Sequence, residues 1–110
     1  MTLDEYQTSA LATLFTHPDP AMNQTILAMG VAGEAGEMLD KWKKVVTVYG
    51  GVVDEERKRS LEKEIGDVLW YLAAFADSLG LTLEDVAEKN LVKLQSRVER
   101  GTLKGEGDDR

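Results

Sequence analysis

The sequence predicts an all-α fold in which four antiparallel helices form a single domain. Apolar residues recur at intervals of three and four along most of the chain, the spacing of one face of a helix. No segment shows the sustained alternation of a strand, and breaks containing Gly or Pro divide the chain into four stretches. We expect the domain to cover residues 1–101 and to be followed by a flexible, Gly-rich acidic tail at residues 102–110.

Cap residues mark the first two helices. Thr2 and Glu5 have the spacing of a capping box, which opens a helix. After a Pro-containing break, Asp19 and Pro20 restart the helical pattern as N-cap and first helical residue. The two predicted helices cover residues 2–15 and residues 20 to 46 or 48.

Turn and cap signals also bound the third and fourth helices. Residues 49–51, Tyr-Gly-Gly, are a turn signal, and Gly80 suits the C-cap of the helix before it. Thr82 with Asp85 opens the last helix, which Gly101 stops. These two helices are predicted over residues 54–79 and 82–100.

Composition excludes several classes of protein. The net charge of −7 argues against nucleic acid as a partner, because a phosphate backbone would be repelled. The chain has no cysteine, so disulfides and Cys-type zinc sites are impossible. No apolar run approaches the roughly 20 residues of a membrane span, and the N-terminus lacks the features of a signal peptide. We therefore expect a cytoplasmic protein without a membrane partner, and at 110 residues one whose modest core favours oligomerisation.

Four carboxylates form two pairs with a spacing of three. Glu34 and Glu37 lie beside the apolar stripe of the second helix, and Glu64 and Asp67 lie beside that of the third. Residues three apart share a helix face, so an antiparallel helix pair would join all four in one anionic pocket. Such a pocket suits Mg²⁺ or Mn²⁺ and, through the metal, phosphate. The single histidine, His17, is far from both pairs, which argues against a di-iron site.

Two features leave more than one interpretation open. The acids could be boundary residues that are neutralised by Lys41, Lys63 or water. The glycines inside the second helix, which are Gly30, Gly33 and Gly36, could serve tight helix packing, a ligand channel or a close subunit contact.

The sequence around these acids resembles that of a known protein family. Residues 33–37, Gly-Glu-Ala-Gly-Glu, are followed by lysines at 41–44, and residues 64–72 read Glu-Ile-Gly-Asp-Val-Leu-Trp-Tyr-Leu. With Asn90, Lys93 and Arg97 in the fourth helix, this pattern is similar to the short, single-domain phage and bacterial type of MazG-like nucleotide pyrophosphohydrolase. The resemblance covers residues 22–110.

The resemblance implies hydrolysis of a nucleoside triphosphate to the monophosphate and pyrophosphate. It implies Mg²⁺, with Mn²⁺ as a substitute, bound by Glu34, Glu37, Glu64 and Asp67. Either Glu34 or Glu37 would also act as the catalytic group that positions or deprotonates water. The family further implies a homodimer or homotetramer whose subunits complete the bundle.

The substrate-binding candidates are Asn90, Lys93, Arg97, Lys41 and Asn23. Lys93 and Arg97 are one helical turn apart and could clamp phosphate oxygens, although an isolated pair of this kind is often ordinary solvated charge. Lys41 could reach phosphate or pair with Glu37. Walls for the base are expected from Trp42, Trp70 and Tyr71, with Asn23, Gln24 and residues 26–27 beside them.

We therefore expect an enzyme that serves nucleotide-pool sanitation or remodels the dNTP supply. One alternative is a non-catalytic helical module that binds a nucleotide or metal as a regulator. Another is a purely structural oligomeric bundle. No residue of the sequence separates the enzyme from the binding module.

Overall fold

The computed structural model describes residues 1–110 and contains four α-helices and no strands, which confirms the predicted all-α fold. The helices are α1 (Leu3–Leu11), α2 (Pro20–Thr47), α3 (Glu55–Ser78) and α4 (Leu83–Glu99). Each begins at a side-chain N-cap, namely Thr2, Asp19, Asp54 and Thr82. No helix combines the length and apolar composition that a membrane crossing requires.

Helix α1 ends four residues earlier than the sequence predicts, at Leu11 instead of Phe15. The hydroxyl of Thr13 donates a hydrogen bond of 2.7 Å to the Ala10 carbonyl, which competes with continuation of the helix. The same hydroxyl accepts a bond of 2.9 Å from Trp70 Nε1 in α3. A tertiary contact therefore holds the chain in a turn where the local pattern predicted another helical turn.

Helices α2 and α3 form the central antiparallel pair. Gln24 donates a hydrogen bond of 2.8 Å to the Ser78 carbonyl at one end, and Lys41 contacts the Ser60 carbonyl at 3.4 Å towards the other. This register sets Glu34 level with Asp67 and Glu37 level with Glu64. The two acidic pairs therefore meet across the helix pair.

Helix α1 is fastened by a buried glutamine. Gln7 Nε2 donates to the carbonyls of Ala73 and Leu81 at 3.0 and 3.2 Å, and its Oε1 accepts from the Leu83 amide at 3.1 Å. Because these bonds reach α3, the α3–α4 turn and the start of α4, one side chain fixes three elements. A buried amide with three partners avoids the cost of unsatisfied polar groups.

The chain is more open than a compact domain of its length. Its Cα radius of gyration is 17.0 Å, against about 13 Å expected for a folded domain of this size. Helix α4 contacts α1 and α3 but not α2. Several apolar side chains of α4 are exposed, including Leu91, Val92 and Val98. A single chain thus leaves part of its apolar surface uncovered.

Candidate metal centre

Three of the four predicted metal ligands converge between α2 and α3. Carboxylate oxygens of Glu34, Glu37 and Glu64 all lie within 4.8 Å of one another. In an octahedral shell with Mg–O bonds of about 2.1 Å, opposite oxygens are about 4.2 Å apart. The three carboxylates could therefore share one ion after small side-chain adjustments.

Glu64 supplies the clearest sign that these acids suit a cation. It is 7% exposed. Its Oε1 forms an ion pair with the ammonium of Lys41, whereas its Oε2 is buried and has no hydrogen-bond partner. A buried charged oxygen without a partner costs free energy, and a divalent cation coordinated there would remove that cost. The donor set consists of carboxylate oxygens, which hard cations such as Mg²⁺ and Mn²⁺ prefer.

The negative charge of the cluster is visible in the pKa of Glu34. Burial raises this pKa, and the neighbouring charges of Glu37, Asp67 and Glu64 raise it further. Asp67 is exposed and lies outside the group of three oxygens; burial, and after it the charge of Asp67, raises the pKa of Tyr6. Asp67 is therefore close enough to Glu34 to add to the negative electrostatic potential of the acid cluster.

Lys41 pairs across the helix interface with Glu64, not along its own helix with Glu37. One ammonium faces four carboxylates, so it offsets only part of their charge. Glu64 is therefore the only one of the four acids that a lysine neutralises, as the interpretation as boundary residues would require of all four. Lys63 forms no ion pair with any of them.

Lys93 and Arg97 share a face of α4, and both bind Asp108 of the C-terminal tail. Lys93 Nζ lies 2.9 Å from Asp108 Oδ1, and Arg97 Nη2 lies 3.1 Å from the same oxygen. Arg97 also donates to the Asp108 carbonyl. These hydrogen bonds, first that of Lys93, lower the pKa of the Asp108 carboxyl. The structure thus joins the pair to the tail and not to the acid cluster. Asn90, one turn before, lines a shallow apolar pocket beside Leu3 and Leu69.

The predicted base-binding side chains divide into two groups. Asn23, Trp70 and Tyr71 line a cavity of about 200 Å³ together with Phe15 and His17, and we call this cavity the aromatic pocket. Trp70 and Tyr71 meet edge to face at 4.9 Å between ring centroids. By contrast, Trp42 is exposed outside this cavity, and Gln24 is occupied by the Ser78 carbonyl.

Sequence reasoning missed the contributions of Phe15 and His17 to the aromatic pocket. They lie in the loop between α1 and α2, where the Pro-containing sequence shows no helical periodicity. The His17 amide donates a hydrogen bond of 3.1 Å to Asn23 Oδ1, which attaches this loop to the first turn of α2. That contact and the hydrogen bond from Trp70 to Thr13 bring the loop beside Trp70.

Comparison with known proteins assigns the chain to a family. The model of the MazG nucleotide pyrophosphohydrolase domain matches residues 22–102, which include all four acids. The chain belongs to the MazG nucleotide pyrophosphohydrolase family. The predicted resemblance is thereby confirmed, and with it the expectation of a short, single-domain phage-type member.

Two relatives show how far the similarity extends. The Gene 37 protein of Mycobacterium phage L5 is 40% identical over 115 aligned residues, which cover the whole of both chains. The uncharacterized protein YpjD of Bacillus subtilis is 42% identical over 53 residues, 47% of this chain and 48% of YpjD. No solved structure matches the chain significantly. Neither relative's name states a substrate.

Proposed function

We propose that this MazG family member hydrolyses a nucleoside or deoxynucleoside triphosphate to the monophosphate and pyrophosphate. The observation that carries the proposal is the convergence of carboxylate oxygens from Glu34, Glu37 and Glu64, of which Glu64 keeps a buried Oε2 without a hydrogen-bond partner. Those three residues and Asp67 would hold Mg²⁺ or Mn²⁺. When bound, such an ion neutralises charge on the triphosphate and activates an attacking water.

The carboxylates would have different roles. Lys41 holds Glu64 in place, which suits a fixed ligand. Glu34 has a raised pKa, and a general base works best when its pKa approaches the working pH. Glu34 is therefore our first candidate for taking the proton from water, with Glu37 as the second.

The aromatic pocket is the proposed site for the nucleoside. It lies next to the acid cluster along the α2–α3 pair, on the side of Gly30 and Tyr71. The rings of Trp70 and Tyr71 offer apolar walls for a base, and Asn23 offers a polar edge. This placement directs the phosphates towards the acids.

Lys93 and Arg97 are proposed as further phosphate ligands, with Asn90 one turn before them. Their convergence on one oxygen of Asp108 supports this role, because a phosphate oxygen would offer them a similar acceptor. Asp108 would have to leave for phosphate to bind there. A homodimer or homotetramer is the proposed assembly, supported by the exposed apolar side chains of α4 and the large radius of gyration.

Product analysis tests the proposed reaction. The protein is incubated with each NTP and dNTP and Mg²⁺, and the products are separated by ion-exchange chromatography. We expect monophosphate and pyrophosphate, with no turnover in EDTA. Diphosphate and inorganic phosphate as products would refute this reaction, and turnover that persists in EDTA would refute the metal's part. Metal-dependent nucleotide binding without turnover would favour the regulatory module. A role in cytoplasmic nucleotide-pool sanitation or dNTP-pool remodelling is proposed on the basis of the reaction.

A further inference from the structure

A second cavity lies at the other end of the acid cluster, between the end of α2 and the start of α3. Its volume is about 260 Å³, and its lining includes Lys41, Lys44, Tyr49, Arg57 and Ser60. We call it the basic pocket. Three of its four charged lining residues are cations, and Glu56 is the single acid. Each of the three cations also has an acidic partner: Lys41 pairs with Glu64, Lys44 with Asp40 and Arg57 with Asp54.

Arg57 is held in this pocket by Asp54 and the Tyr49 ring. Its Nη1 donates a hydrogen bond of 2.7 Å to Asp54 Oδ2, and its guanidinium lies 3.5 Å from the centroid of the Tyr49 ring. Its Nε is buried and has no hydrogen-bond partner. The buried Nε is closed to a ligand, but the guanidinium that is held over the Tyr49 ring carries further N–H donors, which suit a ligand rich in acceptor oxygens such as a phosphate group.

Lys41 connects the basic pocket to the acid cluster. It lines the pocket, and its ammonium forms the ion pair with Glu64. Glu64 would use its partnerless Oε2 for a divalent cation and keep Oε1 on Lys41, and a carboxylate shared in this way neutralises less of the ammonium charge. The positive charge of Lys41 would then become available to an anion in the pocket.

We propose that the basic pocket binds the two terminal phosphates of the substrate and holds pyrophosphate after cleavage. This inference rests on the proposed function and adds Arg57 and Lys44 as substrate ligands. In the reaction, the water oxygen bonds to the α-phosphorus, and the bond from that atom to the bridging oxygen breaks. The bridging oxygen leaves with its electron pair as part of pyrophosphate, and the proton of the water goes to the carboxylate base.

The order of the sites along α2 and α3 matches the order of groups in a nucleoside triphosphate. The aromatic pocket lies on the side of Tyr71, the acids lie in the middle, and the basic pocket lies on the side of Ser60 and Arg57. A base, an α-phosphate and a pyrophosphate group would occupy them in that order. This order sets the direction in which the substrate would lie along the α2–α3 pair.

Direct binding of inorganic pyrophosphate tests this assignment without turnover. Isothermal titration calorimetry in Mg²⁺ compares the wild-type chain with Arg57→Met and with Arg59→Met, an exposed control on the same helix outside the pocket. We expect Arg57→Met to weaken pyrophosphate about tenfold, as loss of a charge-assisted hydrogen bond to a phosphate would. Arg59→Met should bind like wild type. Binding of the monophosphate should be unchanged in both variants.

Lys44→Met provides a second probe in case loss of Arg57 disturbs the start of α3, where it contacts Asp54. Lys44 pairs only with Asp40 on its own exposed helix face, so the variant should fold normally and weaken pyrophosphate severalfold. Equal pyrophosphate affinity in wild type, Arg57→Met and Lys44→Met would overturn the assignment. So would a loss of monophosphate affinity equal to that of pyrophosphate. If no nucleotide is hydrolysed yet pyrophosphate binding still depends on Arg57, the proposed reaction fails while the anion site stands.

Discussion

Replacement of Gly30 by alanine probes the packing of Tyr71, in α3, against α2. A Cβ atom at this position would lie 2.6 Å from Cζ of the Tyr71 ring and closer still to Cδ1 and Cε1. Ordinary van der Waals contacts of Cβ atoms fall at 3.4–4 Å. At Gly33, one turn further along, nothing lies within 4 Å of such an atom. The two glycines therefore form a matched pair in one helix.

The expected free energies of unfolding follow from two opposing effects. Alanine is favoured over glycine inside a helix by about 1 kcal/mol, and this gain applies to both positions. Only Gly30→Ala forces the Tyr71 ring to move, and overpacking of this kind costs about 1–3 kcal/mol. Gly33→Ala should then be the more stable variant by about 1–3 kcal/mol. Its own change should be a gain of about 0.5–1 kcal/mol over wild type.

Urea unfolding followed by circular dichroism measures this difference, at one protein concentration because self-association would shift the midpoint. Gly66→Ala, which also has open space around it, serves as a second control in α3. Since Tyr71 lines the aromatic pocket, Gly30→Ala should also raise KM for the nucleotide. Equal stabilisation by Gly30→Ala and Gly33→Ala would refute the close packing of Gly30 on Tyr71.

Two further predictions concern charges. We expect Mg²⁺ to raise the Tm of the wild-type chain. Glu64→Gln should abolish both this rise and hydrolysis, because the variant loses the buried ligand; a Tm shift of unchanged size would contradict the metal assignment. Asp108→Asn should lower KM severalfold by freeing Lys93 and Arg97 for phosphate, and an unchanged KM would remove these residues from the substrate site. Because the pKa of Asp108 is lowered, its contribution to stability should be complete above the unfolded-state value near 3.8. That contribution should be lost as pH falls through the lowered folded-state pKa, which NMR titration of the carboxyl can follow.

The starts of the helices were predictable because their signals are local. The side chains of Thr2, Asp19 and Thr82 accept hydrogen bonds from backbone amides two or three residues ahead. The end of α1 was not predictable in this way. It depends on the bond between Thr13 and Trp70, which are 57 residues apart. No rule based on residue spacing predicts a contact between residues so far apart in the sequence.

The acid cluster was predictable for a related reason. The i,i+3 spacing places each pair on one face, and an antiparallel partner with the right register brings the faces together. The alignment of α2 against α3 cannot be read from residue spacing. The sequence therefore could not tell whether Lys41 would pair with Glu37 or with Glu64. The basic pocket shows the same limit. Arg57 stacks on Tyr49 across the α2–α3 turn, and neither residue belongs to a recognisable spacing pattern with Lys41.

Two sets of cations therefore compete as ligands of the triphosphate, and their surroundings distinguish them. Lys41, Lys44 and Arg57 belong to the same helix pair as the acids, so a single chain suffices to place them beside a bound nucleotide. Lys93 and Arg97 lie on a helix that does not contact α2, and, like the cations of the basic pocket, they already pair with an acid, here Asp108 of the tail. Their participation would require the tail to open or a second subunit to bring α4 to the acids. Arg57→Met should consequently weaken pyrophosphate at every protein concentration, whereas the effect of Lys93→Met on nucleotide binding should depend on Asp108 or on self-association.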